Sequence, residues 1–128
     1  PGYDDTHQQA GVLLGDKNLA VFKGEGGEAE RNPDTACKVK LVSNGTALEE
    51  EWPAMFGSRH MKDEAMDVAR LAQLWRGEIS DEYGQAAIVG TAAIALRALG
   101  RAGSVAEAGQ LAEKLWATRN AGYLESFR

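Results

Sequence analysis

A chain of 128 residues holds one domain of ordinary size and excludes two. With 44% hydrophobic and 26% charged residues it is neither a disordered tail nor a membrane protein, and its longest apolar stretch, 85–99, is broken by Gly90, Thr91 and Arg97 and falls short of the ~20 residues that span a bilayer. The net charge of −5 arises in residues 1–58, where ten acids face five bases, while residues 59–128 carry nine of each; without a local basic patch this excludes ordinary phosphate-backbone binding.

Cys37 is the single cysteine and has no internal disulfide partner, and the N-terminus lacks the charged-then-apolar pattern of a signal peptide, so the expected address is the reducing cytoplasm, without a membrane partner. The chain opens Pro1-Gly-Tyr rather than with methionine, and is expected to be a piece of a longer protein.

Residues 3–14 read as a helix, with Asp4, Asp5 and Thr6 as N-terminal acids and candidate cap, Ala10, Val12, Leu13 and Leu14 as its apolar end, and Gly15 as its stop. Residues 18–23 form an apolar run of strand length, the pattern of a strand buried on both faces. Three glycines, a proline and four acids within 24–34 make a loop. Residues 37–42 and 46–52 flank Asn44-Gly45, the strongest short-range hairpin signal, and Lys38 and Lys40 are expected to face Glu49 or Glu51 across it.

From about residue 63 the pattern is helical. The first helix is expected over 64–76, with Met66, Ala69, Leu71, Ala72, Leu74 and Trp75 near one side and Gly77 as its end. The second, opened by Ser80-Asp-Glu and running to Gly100, is apolar almost all round and should be wrapped by protein. The third begins at a capping box, Ser104-Val-Ala-Glu107, and continues through Leu111, Leu115 and Trp116. The fold class is α/β, with helix, buried strand and hairpin in 1–58 and helices in 59–128. This inventory leaves more apolar surface than two flanking helices cover, so further partner elements are expected.

Neither His7 nor His60 has a visible nucleophile and orienting group beside it, and both read as surface or cap positions; no catalytic residue is assigned. Cys37 reads as a small buried hydrophobe. Glu25, Glu28 and Glu30 sit in a loop after a strand, where an open α/β sheet binds ligands and carboxylates hold Mg²⁺ on a diphosphate; a solvated acidic loop is the competing explanation. Gly24-x-Gly26-Gly27 opens no helix and is not a phosphate fingerprint. Arg59, His60 and Lys62 are either a solvated linker or a phosphate contact.

The order of these pieces resembles the C-terminal part of the anthranilate phosphoribosyltransferase family, glycosyltransferase family 3, related to pyrimidine nucleoside phosphorylases. The family's His-Gly-x-Asp-Gly-x-Asp-Glu loop corresponds to Lys23-Gly24-Glu25-Gly26-Gly27-Glu28-Ala29-Glu30, and Pro53-Ala-Met-Phe56-Gly57 matches its Pro-x-x-Phe-Gly segment. Leu74-Trp-Arg-Gly77-Glu78 is similar to its Leu-x-Gly-Glu helix end and Thr91-Ala-Ala93 to its Asn-Ala-Ala. The resemblance implies the C-terminal segment of a nucleoside phosphorylase/phosphoribosyltransferase catalytic domain covering 1–128, its N-terminal helical dimerisation domain and phosphate loop lying upstream.

It further implies transfer of phosphoribosyl from phosphoribosyl pyrophosphate to a small aromatic amine by the intact homodimer, this segment alone being inactive. Lys23 and Gly24 fall on the substrate-binding His-Gly, and Glu30, helped by Glu28, on the Mg²⁺ ligands, with Ala29 where the family has its Asp. The Gly24-Glu-Gly-Gly27-Glu28 loop, Asn32-Pro33 and Cys37 are closer still to paralogues that bind nucleic acid and are not established transferases. That alternative implies a non-catalytic nucleic-acid binder, with Arg59 and Lys62 as the contacts from this segment.

Overall fold

The computed structural model describes residues 2–26, 28–61 and 67–123. Its elements are α1 (Tyr3–Leu14), β1 (Asn18–Val21), β2 (Cys37–Ser43), β3 (Thr46–Trp52), α2 (Val68–Arg76), α3 (Glu82–Ala98) and α4 (Val105–Ala117). The described residues are therefore α/β, four helices with a three-stranded antiparallel sheet in the order β1-β2-β3. None of the described helices is long and apolar enough to cross a membrane.

Local chemistry accounts for most element ends. The Asn44-Gly45 turn has φ of 49° and 78°, the two positive values that a two-residue hairpin of right-handed twist requires, and it closes on the Ser43↔Thr46 pair. That register sets Lys38 opposite Glu51 and Lys40 opposite Glu49, as the alternation of charge predicts. Lys38 Nζ also lies 3.1 Å from Glu49. Gly15 ends α1 at φ 79°, with the Asp16 amide donating to the Gly11 carbonyl, and Gly77 ends α2 at φ 77°. Asp67 caps α2 and Asp81 caps α3, and Ser104 Oγ accepts the Glu107 amide at the start of α4. The capping box is not reciprocal in the expected way, because Glu107 Oε2 accepts from the Gly103 amide. Thr6 caps nothing: Gly2 holds the N-cap position and the Thr6 hydroxyl donates back to its carbonyl. Residues 64–66 of the helix expected over 64–76 lie outside the described residues.

The strand buried on both faces is β2, not β1. Among the described residues β1 pairs only with β2 and is half-buried, whereas β2 runs between two strands and beneath helices on both sides. Its Cys37, Val39 and Leu41 join Trp52, Val89, Ala93 and Ile94 in one core cluster, which continues into Ala98, Ala102, Ala108 and Ala112 where α3 meets α4. On its opposite face Lys40 is buried between Asp5 of α1 and Glu49 of β3, and these hydrogen bonds hold its ammonium above the ordinary lysine range. A central strand thus carries a buried lysine because α1 brings a carboxylate to it, a pairing that strand periodicity does not contain. Gln8 adds hydrogen bonds from α1 to the Leu41 and Leu48 carbonyls.

Among the described residues the apolar helix α3 is wrapped on one side only. Ala86, Ala87, Val89, Gly90, Ala93, Ile94 and Ala98 are buried, and Arg97 ties the helix to β3 through Glu50 at 2.6 Å. Ile88 remains 38% exposed, and Leu71, Leu99, Leu13 and Leu14 are more exposed still. Arg119, after α4, spans back to α2, donating to the Trp75 and Leu74 carbonyls at its C-terminus while stacking 3.7 Å over the Trp116 ring.

Candidate functional site

Between the 24–34 loop, the 56–61 segment and the start of α3 lies a cleft of about 630 Å³. Each wall follows from local sequence. Gly24 opens the loop by donating its amide to the Glu28 carbonyl at 2.8 Å, and a Cβ there would lie 2.5 Å from both the Glu28 and Glu30 carbonyl oxygens, so only glycine fits. The turn presents Glu25, Glu28 and Glu30 to the cleft. Asp34 and His60 form the floor of its far side, and Asp81, Glu82 and Tyr83 at the start of α3 complete it with Arg31, Arg59 and Arg70.

The Asp34–His60 pair organises that floor. The Asp34 carboxylate accepts both the His60 backbone amide and its Nδ1, each at 2.7 Å, clasping two loops 26 positions apart. Burial by itself would raise this carboxyl, but the His60 hydrogen bonds and charge, with help from Arg59, hold it below its ordinary range. The His60 ring packs against Phe56 at 4.5 Å and Tyr83 at 5.4 Å. Tyr83, desolvated and facing Asp34, Glu25 and Glu30, has its phenol pushed up. His60 is thus an oriented group in a cleft, not the surface or cap position its isolation in sequence implies. The sequence holds no signal for this, because the partner comes from a separate loop.

The expected site residues separate here. Glu28 and Glu30 both line the cleft, whereas Lys23 is exposed, Gly24 is buried, and neither lines it. Arg59 lines it but pairs with Glu25, which also accepts from the Asn32 side chain at 2.9 Å. Lys62 lies outside the described residues. Among the described residues no group of three or more His, Cys, Asp or Glu is arranged to hold a metal. Glu28 and Glu30 line one cleft without forming a metal cage.

The Pro53–Gly57 segment is bound to the loop, Met55 donating its amide to the Pro33 carbonyl at 2.8 Å and Arg31 donating to the Pro53 carbonyl. A second, mainly apolar cleft of about 950 Å³ runs between α2 and α3, lined by Leu71, Trp75, Ala87 and Ile88 among others, and shares Glu30, Asp81 and Tyr83 with the first. No known protein family and no curated protein matches this chain.

Proposed function

We propose that the chain is the C-terminal part of a phosphoribosyltransferase-like protein whose intact form moves phosphoribosyl from phosphoribosyl pyrophosphate to a small aromatic amine. The observation that carries this reading is the placement of Glu28 and Glu30 together on the wall of one small cleft after the first strand. An acidic wall of that kind suits a ligand that brings a divalent cation, and it repels a bare polyanion. Glu30, helped by Glu28, would hold Mg²⁺, whose role when bound is to neutralise the diphosphate that departs. In the transfer itself the amine nitrogen bonds to the ribosyl carbon, the bond from that carbon to diphosphate breaks with its electron pair on the diphosphate, and the amine loses a proton. The rest of the longer chain supplies the phosphate loop and the dimer contact in this reading.

The test uses the longer protein that contains this segment, with phosphoribosyl pyrophosphate, Mg²⁺ and an arylamine. Turnover that Glu30→Ala abolishes supports the reading. A shift of DNA mobility with steep salt dependence and no turnover overturns it in favour of the nucleic-acid-binding alternative.

A further inference from the structure

Arg31 is 4% exposed, yet it lines the cleft. Its backbone amide donates to Thr91 Oγ1 at 3.0 Å, its Nη2 donates to the Pro53 carbonyl, and its guanidinium carbon lies 5.2 Å from the centre of the Trp52 ring. None of these partners is an anion. Its Nε is buried with no hydrogen-bond partner among the described residues. The titratable group that most affects it is the Cys37 thiol, itself pushed up by burial and therefore neutral at pH 7, and desolvation lowers the guanidinium's own hold on its proton. A buried charge without a counter-charge is rare, because proteins pair such groups or expel them.

The fold also makes room for this side chain. A Cβ on Gly90, in the middle of α3, would stand 3.0 Å from Arg31 Cδ and 3.1 Å from Met55 Sδ. Glycine inside a helix weakens it, and here it lets the arginine lie against the helix backbone. The other arginines of the cleft are already answered, Arg59 by Glu25 and Arg70 by Asp81. Among the described residues Arg31 is therefore the cleft arginine that has no carboxylate within ion-pair distance.

We infer that Arg31 is an oxyanion-binding residue, its guanidinium taking a small phosphate or carboxylate group that enters the 630 Å³ cleft. Guanidinium is the side chain best matched to either oxyanion. The surrounding Glu25, Glu28, Glu30, Asp81 and Glu82 disfavour a long polyanion, so the group taken is a small oxyanion. This subsite lies within the 128 residues and does not depend on the transferase reading.

The experiment titrates the 128-residue chain with inorganic phosphate and, separately, with acetate, at constant ionic strength against chloride. NMR follows the Arg31 Nε–H and Trp52 indole signals, and melting is followed in parallel. The expected result is a saturable shift of both signals and a rise in Tm with one or both anions; phosphate alone, acetate alone or both identifies the oxyanion taken. Arg31→Met should abolish that response and, relieved of an unpaired buried charge, melt in chloride at or above the wild-type temperature, and Arg31→Lys should keep a weaker response. The inference is overturned if wild type shows no saturable shift with either anion, if Arg31→Met responds as wild type does, or if Arg31→Met melts several degrees lower, which would make Arg31 a purely structural tie. Loss of turnover in Glu30→Ala bears on the transferase reading alone, so the two can fail separately.

Discussion

Two isoleucines on α3 provide a controlled comparison. Ile94 is 1% exposed within the core cluster, and Ile88 is 38% exposed beside the apolar cleft between α2 and α3. Truncating Ile94 to alanine removes buried methyl and methylene groups at roughly 0.8 kcal/mol each, about 2.4 kcal/mol in all. The partly collapsed cavity adds about 1–2 kcal/mol, and the better helix propensity of alanine returns roughly 0.4 kcal/mol. Ile94→Ala should therefore cost about 3–4 kcal/mol. At Ile88 the transfer loss is reduced in proportion to its exposure, water fills the space and the same propensity gain applies, which leaves about 1 kcal/mol. Equilibrium urea unfolding followed by far-ultraviolet circular dichroism reads the difference. With a slope of about 1.5 kcal/mol/M, the two midpoints should stand about 1.3–2 M apart. Equal losses at the two sites would refute the reasoning, since they would mean that the Ile88 face of α3 is covered in solution as completely as the Ile94 face.

Asp34 has a depressed pKa in the fold, so the stability tied to its ionisation is present above its unfolded value of about 4 and is lost as pH falls through the lower folded value. The Tm gap between wild type and Asp34→Asn should accordingly narrow progressively as pH falls below about 4; a gap that does not narrow at all down to about pH 2 would show that the Asp34–His60 clasp is not ionic. Ser104→Ala removes the side-chain acceptor for the Glu107 amide, 3.2 Å away, and should cost about 1 kcal/mol, seen as a Tm lower by about 4 °C. Ala29 lines the apolar cleft together with Glu30, whereas Glu28 lines the acidic one; if the loop binds Mg²⁺ as proposed, Ala29→Asp should tighten that binding about tenfold, or roughly 1.4 kcal/mol, by calorimetric titration. No change would show that the loop backbone does not direct that position toward the proposed cation site.

Much of the candidate site was legible as a region and little of it as a set of contacts. The acidic loop could be located from its glycines and carboxylates, and Glu28 and Glu30 do share a cleft. What no pattern in the sequence conveys is that Gly24 sits where a Cβ would meet the Glu28 and Glu30 carbonyls and that Arg59 pairs with Glu25. Asp34 and Arg31 drew no notice, since a single acid or base in a loop looks like a solvated one until its surroundings are known.

The division between what local sequence settles and what it leaves open follows the range of the forces. Gly15, Asn44-Gly45, Gly77, Asp81 and Ser104 set where helices stop and start and where the hairpin turns, because each acts through its own φ or through a hydrogen bond to a neighbour within a few residues. Which strand is central, which lysine is buried and which arginine lacks a counter-charge were decided only when distant segments met. Lys40 gains its counter-charge from Asp5, 35 positions away, and the Arg31 backbone is anchored to Thr91, 60 positions away. No periodicity in a single chain segment carries such information, since the burial that gives these charges their character is made by elements that come together only in the folded molecule.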